Sequence, residues 1–179
     1  MTPSTSTERT KIDRDQAEQY LEQLEQLNLG DTGRVEMLVE TPRPHRHAER
    51  EEVQAIPGRG FAGDHDRKSF YKGEFVPGRE VSAMAADVLD VFGVDPVVIG
   101  DNLITRGFDL AALEPGDRVK VGDVVLERSN RPHKPCTAFR NRTSPEAFAA
   151  VSRDRYRGAL FVVRTPGTIR NGDTIQRIR

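Results

Sequence analysis

Short hydrophobic runs separated by glycine–aspartate pairs constrain the fold of this chain more than any other sequence feature. Such pairs stand at residues 116–117, 122–123 and 172–173. The pair at 122–123 separates two runs in which apolar and polar residues alternate, and this short connection predicts a tight hairpin. The whole sequence predicts about seven or eight short strands and about two or three helices, without regular strand–helix alternation. This pattern favours a mainly β fold of the α+β type, a closed or nearly closed β-barrel with two or three flanking helices.

The first 30 residues differ from the rest of the chain. Residues 1–10 are polar and are expected to be disordered. A capping box at residues 13–16 precedes apolar residues at helical spacing, and Gly30 is expected to end this amphipathic helix. We therefore predict a polar tail with an amphipathic helix (1–30) and a single β-barrel domain (31–179). The helix docks on its own body in the commoner case, and on a second copy in a homodimer in the alternative.

Two further helices and one charged loop are predicted between the strands. Ser82 is expected to cap a helix that continues to about residue 92. Residues 144–146 have the cap and the first-position proline of another helix. Residues 43–50 predict a charged loop, in which His45 and His47 are expected to face solvent rather than to bind a metal.

Composition excludes several classes of protein. No window contains the roughly 18 apolar residues that a membrane helix requires, and residues 1–10 lack the apolar core of a secretory leader. The net charge of −1 provides no overall field for polyanions. The basic C-terminal segment also has few aromatic side chains that could stack on bases. A single cysteine excludes an internal disulfide and fits a reducing compartment, so we predict a cytoplasmic protein that binds neither nucleic acid nor membranes.

The only cysteine, Cys136, is the strongest candidate for a reactive group. A thiolate is a nucleophile, an acceptor of sulfur and a ligand for soft metals. His133 could add positive charge or a second ligand. The alternative is that Cys136 is a small buried hydrophobic residue, although the prolines and charges around it favour an ordered loop beside an anion site. Four cationic side chains near it would stabilise a thiolate: Arg131, Lys134, Arg140 and Arg142.

Two glycine-containing turns supply further candidate site residues. In the first turn, closely spaced glycines permit close backbone approach to a ligand, and Gly63 is followed by an acid and an imidazole, Asp64 and His65. The alternative for this turn is an ordinary loop with a surface histidine. The second turn carries Asp101 and Asn102, and local sequence alone predicts that Asn102 stabilises the turn.

The order of these segments resembles the MOSC domain. This domain forms the C-terminus of molybdenum-cofactor sulfurases and also occurs in stand-alone bacterial proteins and in amidoxime-reducing enzymes. Any single matching motif is weak evidence, but five in the family's order are fairly specific. The five are a glycine-acid-histidine turn at 60–65, a Gly-Asp-Asn-Leu turn at 100–103, a Leu-x-x-Gly-Asp segment at 113–119, a Pro-Cys signature at 134–136 and a closing turn at 167–175.

The resemblance implies a MOSC-like β-barrel in which Cys136 either ligates the molybdenum of a pterin cofactor or carries sulfur as a persulfide. It implies that the four cations near Cys136 hold the pterin phosphate. It also brings a family-level association with pyridoxal phosphate binding. Five residues match the family's pocket-forming turns: Gly63, Asp64, His65, Asp101 and Asn102.

The turns depart from the family pattern at two positions. His65 follows Asp64 directly, whereas the family usually has one residue between the acid and the histidine. Asp101 stands where the family usually has the longer glutamate.

Three functions follow from the sequence and the resemblance. The first is a molybdenum-cofactor enzyme that reduces a small N-hydroxylated compound; it would need a separate electron-donor reductase, because one cysteine cannot ligate an iron–sulfur cluster and no flavin partner is expected in this chain. The second is a sulfur carrier or transferase accessory, in which Cys136 accepts sulfur from a cysteine desulfurase. The third is a non-catalytic module that binds an anion. A zinc site at His133 and Cys136 is a weaker alternative.

Overall fold

The computed structural model describes residues 12–179, so the tail predicted over residues 1–10 lies outside the described residues. The strands, in chain order, are β1 (Thr32–Arg43), β2 (Arg46–Arg50), β3 (Glu52–Ile56), β4 (Gly60–Phe61), β5 (Phe70–Tyr71), β6 (Glu74–Phe75), β7 (Val81–Ala85), β8 (Leu103–Arg106), β9 (Arg118–Val121), β10 (Val124–Arg128), β11 (Ala159–Thr165), β12 (Gly167–Arg170) and β13 (Thr174–Ile178). The helices are α1 (Arg14–Glu25), α2 (Ala86–Phe92), α3 (Pro96–Ile99), α4 (Thr137–Arg142) and α5 (Pro145–Val151), followed by a single 3₁₀ turn (Arg155–Arg157).

Seven strands close into a barrel in the order β13, β9, β10, β11, β7, β8, β1. Pairing of β1 with β13, with Thr32 opposite Gln176, closes the ring. Neighbouring strands are antiparallel except β7 and β8, which are parallel. β2 continues from β1 as a hairpin at the rim, and a smaller sheet orders β12, β3 and β4. The predicted mainly β fold with a closed barrel is therefore confirmed.

The barrel core follows from strict alternation along the strands. In β9 and β10 every second residue is buried, and Val121 lies opposite Val124 across the Gly122-Asp123 turn. Gly122 has φ +56°, a left-handed conformation that glycine adopts without strain. The hairpin predicted from this Gly-Asp pair is confirmed.

Helix α1 packs against the helices outside the barrel. Its N-cap is Asp13, whose carboxylate accepts a hydrogen bond from the Gln16 backbone, as predicted. The helix ends at Glu25, so the prediction that Gly30 ends it was wrong; Leu27 and the residues after it continue as extended chain toward β1. Leu24 is buried in the same core cluster as the barrel residues, so in this chain α1 docks on its own body.

Two short helices and one strand differ from the sequence prediction. Ser82 does not cap a helix, because it lies within β7 opposite Leu160 of β11; α2 begins at Ala86 instead. Gly93 ends α2 in a left-handed conformation, as predicted. α3 and α4 were not predicted, whereas α5 begins as predicted, with Ser144 as its cap. Together with α1, α2 and α5 they make five helices within residues 12–179, more than the two or three predicted.

The two histidines of the charged segment also differ in their surroundings. The segment forms the end of β1 and the start of β2 rather than a loop, and His45 is exposed at the turn. His47 is half-buried, and its Nδ1 lies 3.0 Å from the carbonyl oxygen of Val97 in α3. The prediction of a solvated surface therefore holds for His45 and was wrong for His47. In the part of the chain that the structure describes, none of the helices combines the length and apolar character needed to cross a bilayer.

Candidate functional site

Asn102 is the centre of a buried polar network at one end of the barrel. It follows Gly100, which ends α3 in a left-handed conformation, and its own side chain is fully buried. Its Nδ2 donates to the carbonyl oxygen of Val39 and to Oδ2 of Asp64, both at 3.0 Å. Its Oδ1 accepts from the backbone N–H of Ser82 at 3.2 Å. Asn102 thus ties β1, β7 and the glycine turn together, which agrees with the structural role predicted from its local sequence.

The buried Asp64 forms an ion pair with the partly buried Lys68 beside Asn102. Oδ1 of Asp64 accepts from the backbone N–H of Thr41 at 2.7 Å, and Oδ2 lies 3.0 Å from Nζ of Lys68. Lys68 also donates to Oδ1 of Asn102. Burial lowers the pKa of Lys68, and the carboxylate of Asp64 opposes this shift. The carboxylate of Asp64 is thus shared between the ammonium of Lys68 and the amide of Asn102.

Gly63 allows the glycine turn to approach the end of β1. Its N–H donates to Oε1 of Glu40 at 2.9 Å, and a Cβ at this position would lie 2.1 Å from Oε2 of Glu40. Arg50 of β2 holds the same carboxylate at 2.8 Å. The turn is thus anchored by a carboxylate that leaves no room for a side chain at position 63.

His65 lies in the same turn but points to a different place. Its backbone N–H donates to the carbonyl oxygen of Thr41 at 2.9 Å. Its half-buried ring lines a small cavity of about 250 Å³ together with Lys68 and Phe75. His65 therefore borders the buried network without joining its hydrogen bonds.

Asp101 faces a second set of partners that includes the cysteine loop. Its carboxylate accepts from Nη1 of Arg157 at 2.6 Å, and Nε2 of His133 lies 3.5 Å away. Burial alone would raise the pKa of Asp101, but the charge and hydrogen bond of Arg157 lower it below its ordinary value. The carboxylate, although shorter than glutamate, is thus fully engaged and ionised.

His133 is buried and neutral at neutral pH. Burial first, and then the charge of Arg157, lower its pKa to about 3. Among residues 12–179, no group hydrogen-bonds to its Nδ1, which is a buried polar atom. The prediction that His133 adds positive charge beside the thiol was therefore wrong.

Cys136 is exposed and stands at the N-cap position of α4. The alternative of a small buried hydrophobic residue is therefore wrong.

Two contacts hold α4 against the turn that carries Asp101. Arg157 lies over the ring of the buried Phe139, 4.9 Å from its centroid. Arg142 donates to the carbonyl oxygen of Ile99 at 2.7 Å. Helix α4, which begins at the thiol, is therefore held against the Asp101–Asn102 turn.

The four predicted cations remain uncompensated around this helix. Arg131 donates through Nε to the carbonyl oxygen of Pro77 at 2.7 Å, and Arg142 to Ile99, so both bind neutral acceptors. Lys134 and Arg140 are exposed. Within residues 12–179 none of the four comes within ion-pair distance of a carboxylate, whereas other arginines of the chain do so repeatedly. Their charge is available to an anion from outside the protein.

Sequence reasoning missed several residues that build this region. Lys68 lies four residues after Asp64, and this spacing was the one local signal that could have identified it. Arg157 is 56 positions from Asp101, and no pattern in the sequence links the two. In the described part of the chain, no group of three or more His, Cys, Asp or Glu side chains is placed to hold a metal ion.

Comparison with known proteins agrees with this architecture. The YuaD protein from Bacillus subtilis superposes with a TM-score of 0.62 at 20% identity, over 80% of this chain and 94% of that one. YiiM from Escherichia coli gives a TM-score of 0.57 at 17% identity, over 82% and 70% of the two chains. YiiM from Geobacillus stearothermophilus gives 0.58 at 17% identity, over 83% and 75%. At these low identities the superpositions establish a shared fold alone. No curated protein sequence matches the chain significantly.

The sequence itself also matches a family model. The model of the MOSC domain matches residues 75–176, which include the Asp101–Asn102 turn and Cys136. The match covers more than half of the chain, from the end of β6 to a point within β13. The chain therefore belongs to the MOSC domain family, which is associated with molybdenum-cofactor binding.

Proposed function

We propose that this protein binds molybdenum cofactor with the Cys136 thiolate as the protein ligand of the metal, and that it acts in the reduction of N-hydroxylated compounds. One observation carries the proposal. Cys136 is an exposed thiol at the start of a helix that is fastened to the Asp101–Asn102 turn, and the four cations of the same segment have no carboxylate partner among residues 12–179.

The residues present fit such a cofactor in two respects. A thiolate is a soft donor suited to a metal, and its exposure leaves room for a large group to approach. The uncompensated arginines and Lys134 suit a phosphate, because guanidinium groups bind oxyanions with two parallel hydrogen bonds. A bound molybdenum cofactor would supply the electron exchange and the open coordination position that reduction of an N-hydroxylated compound requires.

The buried network would act by positioning rather than by chemistry. Asp101 holds Arg157, which in turn holds Phe139 and hence the start of α4. The neutral His133 contributes no charge to the site. Electrons would come from a separate reductase, which is a proposed partner of this chain.

A sulfur carrier is the second candidate, and the exposure of Cys136 favours it. In that role the thiolate would attack the outer sulfur of a desulfurase persulfide, form a new S–S bond and release the desulfurase thiolate. A non-catalytic anion-binding module would use the same cations and no thiol chemistry.

The first experiment is production of the protein in a host that makes molybdenum cofactor. Molybdenum per chain and pterin released by acid are measured for the parent, for Cys136→Ala and for Thr137→Ala. Thr137 is the matched control, because it is the next residue and is also exposed. We expect near-stoichiometric metal and pterin in the parent and in Thr137→Ala, and loss of metal in Cys136→Ala.

The same preparations separate the candidates. Equal metal in the parent and Cys136→Ala would show that the thiol is not a ligand. If every preparation is empty although the host loads another molybdoenzyme, the cofactor proposal fails. A mass increase of one sulfur atom on the parent, absent from Cys136→Ala, would then support the sulfur carrier.

A further inference from the structure

A cavity of about 500 Å³ lies between the proline-rich segment before Cys136 and the region that follows helix α5. Residues 132–135 form one wall, and Phe148, Val151 and the chain around Arg155 form the other. Arg128, the last residue of β10, also lines it, whereas Cys136 does not. Its volume is that of a site for a small organic molecule.

Arg128 is the unusual residue of this cavity. It is 9% exposed, and its guanidinium donates through Nη1 to the carbonyl oxygens of Ser129 and Arg131, the latter at 2.9 Å. Nε is buried and has no hydrogen-bond partner among the described residues. No carboxylate of residues 12–179 forms an ion pair with it; Glu114, the nearest acid that influences it, is held by Arg155 at 2.8 Å.

A buried guanidinium without a counter-ion is costly, because its lost hydration is not replaced by an opposite charge. Burial and the neighbouring Arg155 both lower the pKa of Arg128, in keeping with this unfavourable surrounding. The cavity lining carries three cations, Arg128, Lys134 and Arg155, but a single acid, Asp154, whose carboxylate accepts from the backbone N–H of Arg155. The cavity therefore has an excess of positive charge.

The opposite wall is apolar. Phe148 is half-buried, Val151 is buried, and Pro132 and Pro135 also line the cavity. Apolar walls with a few convergent polar groups are typical of sites that bind a compact organic molecule. We propose that this cavity binds a small organic anion, with a phosphate or carboxylate head at Arg128 and Lys134 and an apolar body against Phe148 and Val151.

The anion has two sources that share this chemistry, a free organic phosphate or acid, or the phosphate of the cofactor proposed above. The test uses protein from a host that lacks molybdenum cofactor, with inorganic phosphate and phenyl phosphate as probes. Binding is measured by titration calorimetry at constant ionic strength, and by the thermal midpoint with and without each probe.

Three variants are compared with the parent protein. Arg128→Met removes the buried cation, Lys134→Gln removes the exposed one, and Arg170→Gln is the matched control because Arg170 is an exposed arginine of β12 that pairs with Glu52. We expect phenyl phosphate to bind about tenfold more tightly than phosphate, because its ring meets the apolar wall. Arg128→Met should weaken both probes about 10- to 100-fold, Lys134→Gln about threefold, and Arg170→Gln should leave them unchanged.

Thermal midpoints provide a check on general salt effects. At about 100 times the dissociation constant, the probe should raise the midpoint of the parent by about 5–10 °C. An equal rise in Arg128→Met would be a solvent effect of phosphate and would overturn the proposal, as would the absence of binding to the parent. Should Arg128→Met fail to fold, unchanged binding by Lys134→Gln together with no preference for phenyl phosphate would overturn it.

Phenyl phosphate binding to cofactor-loaded protein then shows which of the two anions occupies the cavity. Loss of phenyl phosphate binding on loading would assign the cavity to the cofactor's phosphate, and unchanged binding would assign it to a free anion. Cys136→Ala should bind the probes like the parent, because Cys136 does not line the cavity. If the cofactor proposal fails, the anion-binding proposal is unaffected. If the anion-binding proposal fails, the cofactor proposal is unaffected.

Discussion

Protonation of His133 should destabilise the folded protein in mild acid. Its ring is 12% exposed and lies beside Arg157, and its folded-state pKa is about 3. In the unfolded chain the pKa returns to about 6.5. Between these pH values the unfolded chain binds a proton that the folded protein does not, so stability falls as the pH decreases from about 6.5. Each pH unit corresponds to about 1.4 kcal/mol, which gives about 2 kcal/mol at pH 5.

The neighbouring carboxylate does not interfere with this measurement. The pKa of Asp101 is lowered below its ordinary value, so its stabilising contribution is present throughout the window and is lost only at lower pH. His47 contributes with the same sign as His133, because burial and Arg142 lower its pKa as well. The two histidines are therefore separated by substitution.

The assay is urea unfolding at pH 7.5, 6.5, 5.5 and 5.0 for the parent, His133→Gln, His47→Gln and His45→Gln. Between pH 7.5 and 5.0, His133→Gln should lose about 2 kcal/mol less stability than the parent. His45→Gln, which removes the exposed histidine of the β1–β2 turn, should follow the parent. Parallel loss of stability in His133→Gln and the parent would refute the reasoning.

Three further predictions concern the groups around the site. Asp64→Asn leaves the ammonium of Lys68 buried without a counter-ion and should lower the free energy of unfolding by about 3–5 kcal/mol in urea. Gly63→Ala forces a methyl group against the carboxylate of Glu40 and should cost about 1–3 kcal/mol by the same measurement. Cys136 should react with iodoacetamide in the folded protein, and Cys136→Ala should shift the thermal midpoint by less than about 2 °C, because the side chain is exposed.

The chain offers matched controls for these substitutions. Asp66→Asn changes a carboxylate that is 88% exposed and should leave the free energy of unfolding within about 0.5 kcal/mol. Gly30→Ala places a methyl group where no atom lies within 4 Å. Equal effects for Asp64→Asn and Asp66→Asn, or for the two glycines, would contradict the roles assigned here. Slow alkylation of native Cys136 would contradict its exposure.

Local interactions explain which parts of the fold were predictable. The β9–β10 hairpin depends on its own turn and on alternation along its own strands, so residues 118–128 contain all the information needed. Ser82 was wrongly predicted as a helix cap because its local sequence resembles one, whereas pairing of β7 with β11 decides its conformation. His47 was predicted to be solvated, but the β1–β2 hairpin carries it against α3.

The residues of the candidate site were likewise predictable only in part. Asp64, Asp101, Asn102 and Cys136 could be proposed because each stands in a recognisable motif. Their partners could not, because the contact of Asp101 with Arg157 spans 56 positions and exists only once the barrel has closed. The charge state of His133 likewise depends on burial by distant elements, which no neighbouring residue reveals.

Closure of the barrel by β1 and β13 has a consequence for synthesis on the ribosome. β1 begins at Thr32, but its closing partner is complete only when Ile178 has been translated and has left the exit tunnel. Until then the outer edges of β1 and β9 lack the strand that pairs with both, and open edges of this kind invite pairing with other nascent chains. Truncation before β13 should therefore yield aggregation rather than a smaller stable barrel.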